Sequence, residues 1–214
     1  MAQYFLVHPE NPQRRLIAQA AEIVRRGGLI VYPTDSCYAL GCQIGDKSAQ
    51  ERIRAIRQVD EHHHFTLVCR DLSEIARYAR VDNAAYRLLR ATTPGSYTFI
   101  LRASAEVPRR LQNPKRRTIG LRIPEHRVAQ ALLDELGEPL LSSTLILPGD
   151  ELPLNDAEDI RNQLEHQVDL VMDAGSCGVQ MTTVVDLTGD TPEIVRLGKG
   201  RPEPFGLTAG AIEE

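Results

Sequence analysis

Apolar runs and amphipathic stretches alternate along nearly the whole chain. Residues 29–32 are apolar, β-branched or aromatic, which is typical of a buried strand. Pro33 ends this strand because proline cannot donate to a sheet ladder. Before it, residues 11–28 carry apolar side chains on one helical face, and Gly27 and Gly28 close the segment. The pattern therefore predicts a helix that leads directly into a buried strand.

The same patterns predict further elements of both kinds in mixed order. Helices are predicted over residues 46–58, 72–78, 83–92, 127–136 and 156–166, and strands over 65–69, 97–101, 118–123, 139–147, 168–172, 183–187 and 194–196. This mixing predicts a single α/β domain, residues 1–207, with one large twisted mixed sheet flanked by helices. Two prolines and two glycines after position 200 predict weakly held chain from Arg201, with residues 208–214 as a tail.

Composition narrows the function classes. The chain has 214 residues, 42% of them hydrophobic and 25% charged, as expected of a globular protein. A net charge of −4 disfavours overall affinity for nucleic acid but allows local basic patches. No apolar run approaches the roughly 20 residues of a membrane span, and no signal pattern opens the chain, so we expect a cytoplasmic protein with no membrane partner. The four cysteines fit neither a metal motif nor a disulfide framework, which predicts free thiols.

Short polar side chains cluster where three predicted strands end or begin. These are Thr34, Asp35, Ser36 and Cys37, then Ser142, Ser143 and Thr144, and finally Thr182 and Thr183. Strand ends that present hydroxyls and carboxylates commonly build the ligand site of an open α/β sheet. The alternative is that these groups only satisfy turns. No nucleophile elbow, Walker loop or dinucleotide-binding glycine motif is present to decide between the two.

Cations concentrate between positions 107 and 127, where Glu125 is the one acid. Candidate RNA-binding residues there are Arg109, Arg110, Lys115, Arg116 and Arg117. A solvated charged loop is the alternative. Arg122 differs because it ends an apolar strand, where a guanidinium can clamp a carboxylate or phosphate.

Three consecutive histidines, 62–64, follow Glu61. Neighbouring side chains converge poorly on one ion, so we expect no tightly bound metal. A loop with one histidine, taken as His63, facing a ligand is favoured instead. Together with Arg57, Arg122 and Arg196, the hydroxyl clusters suit a polar ligand that carries phosphate.

The chain resembles the YrdC-like family, and within it the YciO branch. The matching segments are YPTD at 32–35, PGSYTF at 94–99, GLRI at 120–123, PLLSST at 139–144 and TVVDL at 183–187. The main members of that family make threonylcarbamoyl-AMP for the t6A modification of tRNA, from L-threonine, bicarbonate and ATP with Mg²⁺. The resemblance implies an α/β fold with a central, positively charged cavity, which is also credited with binding double-stranded RNA or tRNA.

Carried over by position, the resemblance implies a set of binding residues and assigns no catalytic one. Thr34 and Arg122 would contact the amino acid, and Arg57 replaces the lysine of the family's K-x-R motif. Ser142 and Thr144 would contact nucleotide. Thr182 or Thr183 and Arg196 would complete the amino-acid and phosphate ends.

Two departures weaken the implied synthase. Val59 stands where K-x-R has arginine, and Ile146 stands where the S-x-N motif has asparagine. Losing a cation and an amide costs a few kcal/mol of hydrogen bonding, or a hundredfold or more in rate. Three possibilities therefore stay open: a weak synthase, an enzyme that breaks down threonylcarbamoyl-adenosine, and a non-catalytic RNA-binding module.

Overall fold

The computed structural model describes residues 1–61 and 63–206. Within this part, eleven strands form one sheet. In chain order they are β1 (Gln3–Leu6), β2 (Ile30–Tyr32), β3 (Ala39–Gln43), β4 (Thr66–Val68), β5 (Ala79–Arg80), β6 (Tyr97–Ala103), β7 (Thr118–Arg122), β8 (Leu140–Thr144), β9 (Leu170–Asp173), β10 (Thr183–Asp186) and β11 (Glu193–Arg196).

Neighbouring strands follow the order β1-β9-β2-β3-β8-β4-β7-β6-β10-β11, with β5 paired to β6. The strand pairs β1–β9, β2–β9, β4–β7 and β6–β10 are parallel. The pairs β2–β3, β3–β8, β4–β8, β5–β6, β6–β7 and β10–β11 are antiparallel. The predicted single α/β domain with one mixed sheet is confirmed.

Four of the six helices in the described part of the chain begin at an aspartate cap. They are α1 (Arg14–Arg25), α2 (Lys47–Arg57), α3 (Leu72–Tyr78), α4 (Asn83–Thr92), α5 (Arg127–Leu136) and α6 (Ala157–Leu164). Aspartates at positions 46, 71, 82 and 156 accept backbone N–H groups in the first turns of α2, α3, α4 and α6. Such caps satisfy donors that the helix itself leaves free.

The sheet has an apolar core on each face. Helices α2, α3, α4 and α6 pack in one core, and α1 and α5 pack in the other. Strand β2 shows the alternation, since Val31 belongs to the first core, and Ile30 and Tyr32 to the second. The second core draws its strand residues mainly from β1, β9, β2 and β3. The same face of the strands from β8 to β10 is left for the site described below.

The chain after Arg196 packs more firmly than expected. Residues Glu203–Phe205 form a 3₁₀ turn, and Phe205 is buried, with its ring centroid 5.5 Å from that of Tyr97 and 6.1 Å from that of Phe99. The prediction of weakly held chain from Arg201 is therefore wrong up to residue 206. The predicted tail, 208–214, lies outside the described residues.

The cysteines are free thiols, three of them buried. Among the helices of the described chain, none combines the length and apolarity needed to cross a membrane.

Candidate functional site

A cavity of about 510 Å³ lies on the sheet face that α1 and α5 leave open. Its floor includes one row of cross-strand neighbours, Ser142, Thr66, Gly120 and Ile100, contributed by β8, β4, β7 and β6. A Cβ at Gly120 would lie 3.3 Å from Thr66 Oγ1 and 3.3 Å from Thr98 Cγ2. The absence of a side chain at Gly120 therefore leaves space in the middle of the floor, and a large side chain there would occupy the cavity.

Eight of the nine predicted substrate-binding and nucleotide-binding residues line this one cavity. They are Thr34, Arg57, His63, Arg122, Ser142, Thr144, Thr182 and Arg196. Thr183 is fully buried instead, where its hydroxyl donates to the carbonyl of Gly200 (2.6 Å) and accepts from the N–H of Gly198 (2.9 Å). Convergence of residues so distant in sequence gives the cavity a dense lining of hydroxyls and cations, although the individual binding roles stay predictions.

Arg57, Ser143 and His63 form a hydrogen-bonded cluster on the cavity wall. Arg57 Nη1 donates to Ser143 Oγ (2.6 Å), and His63 Nε2 lies 3.0 Å from the same oxygen. Burial and, secondly, the neighbouring Arg57 lower the pKa of His63 to about 4. The imidazole is therefore neutral at pH 7 and is within reach of the serine proton. Sequence reasoning missed this contact because the path of the loop before β4, rather than any motif, brings His63 to Ser143 of β8.

Arg122 is already paired inside the protein. Its Nη2 lies 2.5 Å from Asp35 Oδ1, with both side chains less than a tenth exposed, and its Nη1 donates to Ser36 Oγ (3.2 Å). The guanidinium is therefore charge-compensated before any ligand arrives, which differs from the free carboxylate clamp that the strand-end position suggested. Its buried Nε has no hydrogen-bond partner within the described residues.

The loop after β2 is fixed by its own hydroxyl and carboxylate. Thr34 Oγ1 donates to the carbonyl of Cys37 (2.6 Å) and accepts from the N–H groups of Ser36 and Cys37, at 3.2 Å each. Asp35 Oδ2 accepts from Ser96 Oγ (2.5 Å). Thr34 thus satisfies the turn and also lines the cavity, so the two alternatives for this cluster are compatible, and its role in binding a ligand stays a prediction.

A Gly198-Lys199-Gly200 segment supports the same loop and went unnoticed in the sequence. Lys199 Nζ donates to the carbonyl of Asp35, and its backbone N–H donates to that of Met181 (2.8 Å). A Cβ at Gly198 would collide with backbone atoms of Met181 and Thr182, and one at Gly200 with the Tyr97 ring. Two glycines flanking a lysine were the available signal, since close backbone approach requires glycine.

Two cations of the lining lack a carboxylate partner in residues 1–61 and 63–206. They are Arg57 and Arg196, and burial lowers the pKa of each guanidinium. Arg196 Nη2 donates to the carbonyl of Thr182 (3.0 Å), which satisfies one donor but not the charge. The described lining residues also include no aspartate or glutamate. Arg57 is half-buried and Arg196 is exposed, and no carboxylate of the described chain compensates either charge, so the cavity is electrostatically suited to an anion.

Val59 and Ile146, the positions where the resemblance implies departures from the family motifs, lie at the edge of this wall. Val59 lines a shallow depression beside the cavity together with His63 and His64. Ile146 contributes its carbonyl, 3.4 Å from Arg57 Nε. Neither side chain supplies a donor to a ligand.

The predicted RNA-binding residues separate into two groups. Arg109, Arg116 and Arg117 line a groove next to the cavity, and Arg116 lines both. Arg110 instead donates to the carbonyl of Gly45 and to Gln50 Oε1, and Lys115 lies exposed in a turn.

Comparison with known proteins places these features in a wider group. Residues 22–198 match the family model Sua5/YciO/YrdC, described as "Telomere recombination". The chain is 59% identical to the YciO protein of Escherichia coli K12 over 205 residues, which are 96% of this chain and all of that protein. It is 36% identical over 137 residues to a threonylcarbamoyl-AMP synthase of Chromobacterium violaceum, covering 64% of this chain and 70% of the synthase.

Solved structures show the same fold. The crystal structure of E. coli YciO superposes with a TM-score of 0.92, covering 96% of this chain and 100% of that chain at 59% identity. The structure of P. abyssi Sua5 complexed with L-threonine superposes with a TM-score of 0.83 at 24% identity, covering 91% of this chain and 57% of Sua5.

Proposed function

This chain belongs to the Sua5/YciO/YrdC family, and from that premise we propose that its cavity binds an adenine nucleotide, either free or as part of tRNA. Relatives of the chain are named threonylcarbamoyl-AMP synthase, whose product contains an adenylate. The observation that carries the proposal is the pair of uncompensated arginines, Arg57 and Arg196, in a cavity whose described lining has no carboxylate. A phosphate or a carboxylate of the ligand would supply the missing negative charge beside these two arginines.

The remaining lining suits the uncharged parts of such a ligand. Hydroxyls of Ser142, Thr144 and Thr182 offer donors and acceptors to a ribose or a carbamate. Ile100 and Val184, both half-buried, provide apolar surface for a base. L-threonine would contact Thr34 and Arg122, and ATP would arrive as its Mg²⁺ complex.

Efficient synthesis of threonylcarbamoyl-AMP is not part of this proposal. The resemblance implies a cation and an amide at the positions that Val59 and Ile146 occupy in this chain. We expect any synthase turnover to be lower by about a hundredfold or more, because each lost charge-assisted contact costs one to three kcal/mol of transition-state stabilisation.

Isothermal titration calorimetry with AMP, ATP and L-threonine tests the binding. The wild type is expected to bind AMP, and Gly120→Leu, which fills the cavity floor, is expected to weaken that binding at least about tenfold, roughly the loss of one good contact. Arg57→Gln should act similarly. The control is Arg90→Gln, an exposed cation on α4 remote from the cavity lining. Absence of heat with all three ligands, or unchanged AMP binding by Gly120→Leu, would overturn the proposal.

The Ser143–His63 contact favours a second candidate, hydrolysis of threonylcarbamoyl-adenosine. His63 Nε2, 3.0 Å from Ser143 Oγ, would accept the serine proton while Oγ attacks the carbamoyl carbon. The bond to the adenine N6 breaks, N6 takes that proton, and water then releases N-carboxythreonine from the serine. Arg57, which already donates to Oγ, would stabilise negative charge near the reacting oxygen.

This candidate is tested by nucleoside mass spectrometry of tRNA carrying t6A after incubation with the protein. Ser143→Ala and His63→Gln should lose about a hundredfold or more in turnover, whereas Ser143→Thr, which keeps the hydroxyl, should retain most of it. Turnover should be level above about pH 5 and fall as His63 becomes protonated near pH 4. Full turnover by Ser143→Ala, or none by the wild type, would eliminate this candidate and leave nucleotide binding untouched.

A further inference from the structure

A pocket of about 380 Å³ is lined by the turn between β10 and β11 and by strands β6 and β7. We call it the hairpin pocket, and its lining includes Arg102, Arg116, Asp186 and Glu193 together with three threonines. Arg116 and Thr118 also line the cavity, so the two spaces share a wall. Arg102, Asp186 and Glu193 do not line the cavity. The hairpin pocket therefore presents charges of both signs that the proposed nucleotide site does not use.

A ring of three side chains holds the shared wall. Arg116 Nη2 donates to Asp186 Oδ2 (2.8 Å) and to Thr188 Oγ1 (2.6 Å), and Thr188 Oγ1 donates to Asp186 Oδ1 (2.6 Å). The Asp186 side chain is only 5% exposed, and Arg116 compensates its charge. The ring is complete without a ligand, so one side of the hairpin pocket is fixed before any ligand arrives.

Glu193, on the neighbouring strand, has no such partner. It stands directly opposite Asp186 in the antiparallel register of β10 and β11. Like charges at opposed positions destabilise a strand pair. Arg116 compensates Asp186, whereas Glu193 forms no ion pair within residues 1–61 and 63–206. A cation from outside the chain would offset this repulsion.

Arg102 shows the reverse arrangement. It stands opposite Arg80 in the antiparallel register of β5 and β6, and both side chains are exposed. Neither arginine forms an ion pair in the part of the chain that the structure describes. The guanidinium of Arg102 therefore lacks an anion in the same pocket in which the carboxylate of Glu193 lacks a cation.

The sheet keeps these two opposite charges apart. Strand β10 lies between β6, which carries Arg102, and β11, which carries Glu193, so two sheet spacings separate them by at least about 10 Å. Side chains on one face stand roughly perpendicular to the sheet, which leaves the head groups similarly far apart. A hydrogen bond of about 3 Å at each head group leaves roughly 4 Å for a ligand, the span of a linker of about one to three carbons.

We propose that the hairpin pocket binds a small zwitterion, whose carboxylate contacts Arg102 and whose ammonium contacts Glu193. Free amino acids with about one to three carbons between the two groups are the chemical class that fits. A ligand with a single charge would leave either Arg102 or Glu193 uncompensated, so selectivity follows from the two charges together. This site is independent of nucleotide binding in the cavity and goes beyond it.

Two-dimensional NMR titration with glycine, β-alanine and γ-aminobutyrate tests the proposal. The amide signals of Thr188, Gly189 and Thr191, which line the hairpin pocket, should shift and saturate with at least one of the three. Propionate, which lacks the ammonium of β-alanine, and ethylamine, which lacks its carboxylate, should each bind at least about fivefold more weakly, the share of one exposed ion pair.

Two single variants assign the charges. Glu193→Gln should weaken binding of the zwitterion about fivefold and leave propionate within about twofold, because propionate has no ammonium. Arg102→Gln should weaken binding of the zwitterion similarly and leave ethylamine unchanged. The controls are Glu151→Gln and Arg90→Gln, which make the same charge changes at exposed positions outside the lining.

The possible results separate this site from the cavity. Absence of saturable shifts at these amides with all three amino acids would overturn the hairpin pocket, and so would propionate or ethylamine binding as tightly as β-alanine. Equal losses in the pocket variants and the controls would also reject it, because they would trace the effect to net charge. AMP binding should be unchanged in Glu193→Gln and Arg102→Gln, since neither residue lines the cavity. Failure of the hairpin pocket therefore leaves nucleotide binding in the cavity standing, and the reverse holds as well.

Discussion

At the scale of single residues, the Asp35–Arg122 pair is the interaction whose removal should cost the most stability. The two groups are 2.5 Å apart and almost fully buried, and Asp35 also accepts from Ser96. Removing one partner of a buried pair leaves the other charge without compensation. We expect Arg122→Ala to lower the free energy of unfolding by about 3 to 5 kcal/mol, measured by urea denaturation.

The control for this prediction is an exposed pair elsewhere in the chain. Glu10 and Arg127 are 3.0 Å apart, but their side chains are 66% and 67% exposed. Water screens such a pair, so Arg127→Ala should cost no more than about 1 kcal/mol. If the two variants lose similar stability, burial is not what makes the Asp35–Arg122 pair important.

His63 links stability to pH. Its pKa is lowered from 6.5 to about 4, with burial as the first cause. As pH falls below 6.5 the unfolded chain takes up a proton that the folded chain refuses until about pH 4, so stability is lost across that window and is level above it. His63→Gln should therefore lose less stability than wild type between pH 6.5 and 4 in denaturation series. If the free energies of unfolding of the two proteins changed equally with pH, this would contradict the assigned pKa of His63.

At the scale of elements, the 3₁₀ turn Glu203–Phe205 closes the apolar core at the end of the described chain. The Phe205 ring contacts those of Tyr97 and Phe99 and is 7% exposed. Phe205→Ala removes this ring and leaves a cavity, which should cost about 3 kcal/mol in thermal or urea unfolding. Glu203→Ala, at an exposed position of the same turn, is the control and should change stability by less than about 0.5 kcal/mol. A similar small loss in Phe205→Ala would mean that the segment is peripheral.

The elements that sequence predicted best are those specified locally. Helices α3, α4 and α5 have the predicted bounds, because their apolar spacing and flanking residues lie within one segment. Strand β1 and the two-residue β5 were not predicted, since each exists through its pairing, with β9 and β6 respectively. A pairing partner more than twenty residues away leaves no periodic signal in the strand itself.

The candidate site shows the same contrast between features specified locally and features that depend on contacts distant in sequence. Residue types at strand ends predicted which side chains converge on the cavity, because strand edges gather them whatever the register. Which groups contact each other was not predictable. The partnership of Arg122 with Asp35, of His63 with Ser143 and the opposition of Arg80 and Arg102 all follow from register and loop path.

At the scale of the whole molecule, one face of the sheet is covered partly by packed helices and partly by the candidate ligand site. Helices α1 and α5 pack with β1, β9, β2 and β3, while the cavity and the groove occupy the strands beyond. The net charge is −4, yet the groove lining has five arginines and no acid among the described residues. This separation gives one face a local basic surface on a protein whose net charge is negative.

Because the cavity joins loops and strands from both halves of the sheet, a bound nucleotide should stabilise the whole fold. Thr34 follows β2, and Arg196 ends β11 near the opposite edge, yet both line the cavity. AMP at about one hundred times its dissociation constant should add about 2.7 kcal/mol to the free energy of unfolding, with the melting temperature rising as AMP is increased. Gly120→Leu should melt independently of AMP, while Arg90→Gln should respond as wild type does. A melting temperature of the wild type that stays constant across the titration would show that the cavity does not bind AMP.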